Sequence, residues 1–245
     1  MPGWPAPAVE RDEISIAVED GAMPALVARP KGKPEAAGVV IIADIRGRSP
    51  FYEDLAARLA TAGFRTVLPE FFFREGPLPD ATRDAMMARR AKLDEERSLR
   101  DFHAALDTLG NGRKGLIGFC MGGTLVLDLA AERDDLASVC YYGYPAGSRS
   151  MPKAARAPLD RVDSMKGPIL GFWGDQDEGA GMHNVESLVK AVRDRGEEFD
   201  HMIYPGIGHG FLAASRLEPD EPMYEPACDS WTRAVEFFRD KLYRS

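Results

Sequence analysis

Three side-chain types that together perform nucleophilic acyl chemistry occur at separated points of the chain: a thiol at Cys120, a carboxylate at Asp175 or Asp177, and an imidazole at His209. Cys120 lies in Gly118-Phe-Cys-Met-Gly-Gly123. Before it, Lys114-Gly-Leu-Ile-Gly118 reads as a buried strand, and after it Thr124-Leu-Val-Leu-Asp-Leu-Ala-Ala131 reads as a buried helix. A strand-to-helix turn pushes its central side chain out above a sheet, and the small residues Gly118 and Gly122 let the backbone reverse tightly. The helix start behind it offers N–H groups without helical acceptors and a positive end that favours thiolate over thiol. Taken alone, the pattern GxCxGG serves a packing turn around an inert cysteine equally well.

The acid and the base decide between the two. Pro168-Ile-Leu-Gly-Phe-Trp173 reads as a strand that ends in Gly174-Asp-Gln-Asp-Glu-Gly179, and Phe199–Tyr204 as a strand that ends in Pro205-Gly-Ile-Gly-His-Gly-Phe211. Asp175 suits a carboxylate that stabilises its own turn, whereas Asp177, further from the strand, is better placed to reach a base. His209 has a glycine on each side, while His103 and His183 fall on helices and His201 inside a strand, where structural or surface roles are expected. Thiol catalysis needs a base that takes the thiol proton and later returns it, and an acid that fixes the tautomer of that base. The order nucleophile, acid, base, each just after a strand, is that of the α/β-hydrolases with cysteine in place of the usual serine.

The elements that must position these groups follow from periodicity. Residues 13 to 28 alternate around Asp20-Gly21 as a hairpin, with 1–12 as an N-terminal extension. Gly38-Val-Val-Ile-Ile-Ala43 is a β-branched run expected of a central strand and leads into Asp44-Ile-Arg-Gly-Arg-Ser-Pro50. Ser49 is a candidate cap for a helix opened by Pro50 and closed by Gly63. Phe64–Leu68 reads as a strand and Phe71-Phe-Phe73 as a loop that is either core or pocket wall; residues 80–109 read as one helix whose charged part is a solvated face. The strand at 136–142 precedes an irregular stretch to Lys166, so 144–166 is either a lid or a surface excursion, and a helix is expected over 182–195. The last helix repeats Cys228, Trp231, Val235, Phe238 and Leu242 as a docking face. Strands alternating with helices predict one α/β domain with a mainly parallel, doubly covered sheet and an antiparallel opening hairpin.

Composition narrows the rest. The 245 residues are 44% apolar with no run long enough to span a membrane. With 31 Lys and Arg against 39 Asp and Glu, the net charge of −8 argues against a nucleic-acid partner. The N-terminal Met1-Pro-Gly-Trp-Pro-Ala-Pro has neither a basic nor an apolar signal region, so the expectation is a cytoplasmic protein, monomeric or homodimeric. The cysteines at 120, 140 and 228 form no disulfide or metal pattern, and no metal or organic cofactor is expected; Cys140 and Cys228 read as packing residues.

The succession GFCMGG, then GDQD after a strand, then GHGF resembles the dienelactone hydrolase (carboxymethylenebutenolidase) family over essentially the whole chain. The resemblance implies an α/β-hydrolase fold, a Cys120-His209-Asp177 triad, an acyl-enzyme, and an oxyanion hole made of the backbone N–H groups of Ile45 and Met121. Such donors are typically worth ~3–4 kcal/mol each. Two positions depart from the archetype. Asp44 stands where it has a glutamate that engages and modulates the cysteine; Asp44 either does the same or holds Arg46 or Arg48. Ala213 stands where it has a substrate-binding arginine, leaving Arg216 or an arginine from 83 to 90 as substitutes. Arg46, Phe72, Tyr144, Phe211 and Arg216 are the candidate pocket residues. The expected reaction is cleavage of a small ester or lactone. The same groups would serve a thioesterase or acyl transferase, and a reactive thiol without turnover would mark a redox-responsive binding protein.

Overall fold

The β-branched run after the hairpin becomes an inner strand of the sheet. The computed structural model describes residues 9–33, 36–147 and 157–243; in it Gly38–Ile42 forms β3, with Val39, Val40, Ile41 and Ile42 fully buried. Parallel strands covered on both faces carry such uninterrupted apolar runs. The remaining strands are β1 (Val9–Val18), β2 (Gly21–Pro30), β4 (Arg65–Pro69), β5 (Lys114–Phe119), β6 (Leu136–Tyr141), β7 (Ile169–Gly174) and β8 (Phe199–Tyr204). Among the described residues they form one sheet in the order β1-β2-β4-β3-β5-β6-β7-β8, antiparallel from β1 to β4 and parallel from there to β8. The helices α1 (Pro50–Thr61), α2 (Arg83–Arg90), α3 (Glu95–Asp107), α4 (Met121–Ala130), α5 (Met182–Arg193) and α6 (Tyr224–Tyr243) cover its faces. No helix among the described residues is long and apolar enough to cross a membrane.

The structure differs from the sequence reading in several places. The hairpin is longer: Val9 already pairs with Pro30, so residues 9–12 belong to β1 and not to an extension, while 1–8 lie outside the described residues. The expected helix over 80–109 is two. Asp94 accepts from the Arg97 N–H and caps α3, which ends α2 a few residues earlier, because a short carboxylate satisfies the first-turn N–H groups of a new helix. Its charged face is not wholly solvated, since Arg89, Arg90 and Glu95 are buried. Ser49 occupies the cap position of α1 without a side-chain cap bond. The described flanks of the candidate lid are packed down: Leu159 N–H donates to the Pro145 carbonyl and Met165 is fully buried, while 148–156 lie outside the described residues.

The turn between β5 and α4 depends on close approach. Cys120 takes φ 57° and ψ −120°, a conformation that side-chain-bearing residues rarely adopt. A Cβ on Gly118 would lie 2.5 Å from the Gly122 carbonyl carbon, one on Gly122 2.5 Å from the Ala43 oxygen, and one on Gly123 2.6 Å from the Tyr141 oxygen. The glycines therefore let α4 begin against the ends of β3 and β6, while the strain is carried by the cysteine itself. Gly122→Ala is expected to cost more than about 3 kcal/mol in denaturant unfolding, because backbone, not a pliable side chain, blocks the methyl. Gly196→Ala, where a Cβ meets nothing within 4 Å, is the comparison. Its cost should be only about 1 kcal/mol, from the positive φ.

Candidate active site

Four loops at the carboxyl ends of β3, β5, β6 and β7, with the loop after β8, surround Cys120. The acid and base loops are laced together before any reactive group is considered. Asp175 N–H donates to the Tyr204 carbonyl (3.0 Å), Gln176 N–H to the Ile207 carbonyl (2.9 Å), and Gly206 N–H to the Asp175 carboxylate (2.7 Å). Ile207 also passes so near the end of β7 that any side chain at Gly174 would strike its backbone. Asp175 is thus the turn-stabilising carboxylate. Asp177 is the one that reaches the base: its Oδ2 lies 2.7 Å from His209 Nδ1, and its Oδ1 accepts from the Gly179 and Ala180 N–H groups at 3.1 Å each. At 3% exposure Asp177 is an almost wholly buried carboxylate whose oxygens are all engaged.

His209 turns its other face to the thiol. Burial pulls its pKa down, but the hydrogen bonds to Asp177 and Cys120 and their charges outweigh this and raise it to about 10. Its ring stacks on Tyr144 (centroids 5.4 Å apart, 17° between planes) and meets the edge of Tyr142 at 4.9 Å. Tyr144 Oη lies 3.3 Å from Cys120 Sγ and 3.2 Å from His209 Nε2. Cys120, Asp177, His209 and Tyr144 are therefore brought together. The other cysteines stay apart: Cys140 is fully buried beside the Gly123 carbonyl, and burial pushes its thiol up to about 12; Cys228 is on α6. His103 pairs with Glu132, and His201 lies within β8.

The loop after β3 brings up the backbone of Ile45. Asp44 Oδ1 accepts from the Arg46 N–H (2.8 Å) and Oδ2 lies 3.3 Å from the Arg46 guanidinium, so of the two readings of Asp44 the geometry matches the one in which it holds Arg46. Arg48 is taken by Glu13 and Glu53. The pocket candidates divide. Arg46 stands half exposed at the loop and Tyr144 at the thiol, but Phe72 and Phe211 are fully buried, against Arg89 and Tyr142 respectively. Arg216 points to Asp54 on α1; it ends a 3-10 turn, Phe211–Arg216, whose other side, with Phe211, Leu212, Ala214 and Ser215, is buried. The place of the archetypal arginine, Ala213, is exposed.

The sequence named Arg89 only as one of the arginines from 83 to 90 that could replace the archetypal substrate-binding arginine, and otherwise read its segment as a charged helix face. It lies 4.1 Å over the Phe72 ring and donates to the Ile45 (3.1 Å) and Arg46 (2.7 Å) carbonyls. The Ile45–Arg46 peptide is thus held at its oxygen by Arg89 and at its N–H by Asp44. Met121, the first residue of α4, has an N–H without a helical acceptor by its position.

Comparison with known proteins gives the family and the fold. The model of the dienelactone hydrolase family matches residues 23–242. The chain belongs to the dienelactone hydrolase family. A carboxymethylenebutenolidase of Rhodococcus opacus is 34% identical over 206 residues, covering 83% of this chain and 81% of the relative. Carboxymethylenebutenolidase 2 of Cupriavidus pinatubonensis is 31% identical over 209 residues, covering 85% and 86%. A solved structure from Klebsiella pneumoniae, of a protein proposed to be a dienelactone hydrolase, superposes with a TM-score of 0.83 at 28% identity, covering 94% of this chain and 98% of that one. The family expectation from the three motifs and the α/β-hydrolase fold are both borne out, and as a dienelactone hydrolase family member the chain is a hydrolase acting on lactone or ester substrates.

Three outcomes follow from the geometry. Arg89→Lys keeps the charge but loses the fork and the stacked plane, and should cost about 1–3 kcal/mol in denaturant unfolding. The raised His209 pKa stabilises the fold fully below its ordinary value of 6.5, and this contribution is lost as the pH rises through about 10. Wild type should therefore lose more stability between pH 7 and 10 than His209→Gln. In Cys120→Ala the ring should titrate at lower pH, read by NMR, because two of the raising contributions come from Cys120.

Proposed function

We propose that the protein hydrolyses a small ester or lactone by thiol acyl transfer, with Cys120 as nucleophile, His209 as the proton carrier and Asp177 as the acid that orients it. The observation that carries this reading is the continuous contact from Asp177 through His209 to the Cys120 thiol at the strained turn. His209, oriented by Asp177, takes the thiol proton as the sulfur attacks.

The sulfur adds to the substrate carbonyl, and the developing oxyanion is received by the N–H groups of Ile45 and Met121. Collapse expels the alkoxide, which takes the proton from His209 Nε2. In the resulting thioester the sulfur carries no charge, so the contributions of Cys120 that raised the His209 pKa disappear and the ring becomes a base. It then takes a proton from water, which attacks the thioester; the acid leaves, and the proton returns to the Cys120–His209 pair. Asp177 accepts from Nδ1–H throughout and keeps the ring oriented. A lactone keeps its alcohol and acid in one molecule, so ring opening yields a hydroxy acid.

The test is a panel of small lactones and aryl esters. Cys120→Ala and His209→Ala should each lower kcat/KM by at least ~10³-fold and Asp177→Ala by ~10²-fold or more, while Asp175→Ala stays within about threefold of wild type. A loss of less than tenfold in both Cys120→Ala and His209→Ala would sink the scheme. Acyl thioesters on the same panel separate a thioesterase from an ester or lactone hydrolase.

A further inference from the structure

The hydroxyl of Tyr144 lies between the two groups that exchange the proton. We propose that Tyr144 is a catalytic residue, its hydroxyl relaying the proton between Cys120 Sγ and His209 Nε2 and then donating a hydrogen bond to the thiolate. The inference rests on the acyl-transfer reading above and adds a fourth participant to it.

Tyr144 is held for this position from several sides. Its N–H donates to Thr124 Oγ1 (2.9 Å), and that hydroxyl in turn donates to the Cys120 carbonyl (3.4 Å), so the tyrosine is tied to the same turn as the thiol. Its ring stacks on His209, and Gly179 makes room for it: a Cβ there would lie 3.0 Å from Tyr144 Cε1. The loop that carries Gly179 is the one that places Asp177. One element thus fixes the acid, the base and the phenol relative to one another.

A phenol hydroxyl has one proton to donate and lone pairs to accept with, so it can bridge a donor and an acceptor at once. In the neutral arrangement the thiol donates to Oη, and the Oη proton is donated to Nε2. On transfer the S–H bond breaks and that proton joins Oη, while the original Oη–H bond breaks and its proton joins Nε2. The products are thiolate and imidazolium, with the phenol unchanged. The hydrogen bonds have reversed: Nε2–H now donates to Oη, and Oη–H donates to the thiolate. Burial and the adjacent Cys120 charge hold the phenol pKa well above its ordinary range, which keeps the relay neutral. When sulfur bonds to the carbonyl carbon, its charge and its claim on the Oη proton vanish together.

The sequence reading placed Tyr144 among the pocket walls, and the two roles separate experimentally. Tyr144→Phe removes one oxygen and keeps the ring that stacks on His209. With the full-length protein, the rate of Cys120 alkylation by iodoacetamide at neutral pH should fall about tenfold or more, and acylation by an aryl ester in a single turnover ~10²-fold, with KM within threefold. Incorporation of 4-fluorophenylalanine at 144, which restores the volume of the hydroxyl without its proton, should give the same losses and serves where the phenylalanine variant folds poorly. Alkylation and acylation within threefold of wild type in the folded variant would overturn the relay, as would a raised KM with unchanged alkylation, the signature of a pocket wall. If Cys120→Ala retains activity, the acyl-transfer reading fails. If Cys120→Ala is inactive and Tyr144→Phe is not impaired, the relay alone fails.

Discussion

The approach of α4 to the ends of β3 and β6 is the constraint on which the site depends. Backbone packs against backbone at Gly118, Gly122 and Gly123, each at a distance that excludes a Cβ. This closeness makes the Cys120 thiol stand clear of the sheet, and it also sets the start of α4 beside Ile42 and Ala43 at the end of β3. A looser turn would allow an ordinary φ at Cys120 and would lose both. The positive φ of the cysteine is thus strain maintained by the surrounding fold. The fully buried α4 behind it, with Leu125, Val126, Leu127 and Leu129 in the core, supplies the packing that maintains it.

A buried carboxylate is costly unless its charge is matched. Asp177 is matched twice, by two backbone N–H groups on Oδ1 and by the His209 ring on Oδ2. The match is geometric before it is electrostatic: the Asp175 and Gly174 contacts with the 204–207 backbone set the spacing of the two loops, leaving Asp177 and His209 one hydrogen bond apart. Asp175 therefore adds one side-chain contact to a spacing held mainly by backbone, without touching the base. The aromatic layer of Tyr142, Phe211 and Tyr204 beneath His209 then limits where the ring can turn.

The groups with chemistry were legible in the sequence because each stands at a strand end marked by glycine, and glycine marks the places where backbone must pass close or turn. The alternation of strands and helices carried the sheet for the same reason: burial on two faces writes itself as runs such as Gly38–Ala43. What was not legible depends on contacts between distant segments. Nothing local distinguishes Arg89 from the other charges of its segment; only the fold reveals Phe72 beneath it and the Ile45 and Arg46 carbonyls before it. Phe211 follows the base in sequence and was read as a pocket residue, yet it is buried, because the 3-10 turn that begins there points it inward. The break between α2 and α3 was hidden since helix propensity is continuous across it, and a single cap at Asp94 decides the boundary.

The acid after β3 shows how one methylene redirects a site. In the family archetype a glutamate at this place engages the cysteine. The shorter Asp44 is satisfied within its own loop, by the Arg46 N–H and guanidinium, and its position beside Arg89 makes it part of a clamp on the Ile45–Arg46 peptide. A clamp on that peptide fixes the loop at Ile45, whereas an acid on the thiol would bear on the sulfur. The hydrogen-bonding place beside the sulfur is occupied by Tyr144, whose hydroxyl lies 3.3 Å from Sγ, a neutral group instead of an anion. An anion next to a thiolate disfavours it, while a hydrogen bond from a neutral phenol favours it. The two arrangements therefore put different groups beside the sulfur, an acid in the archetype and the Tyr144 phenol in this chain.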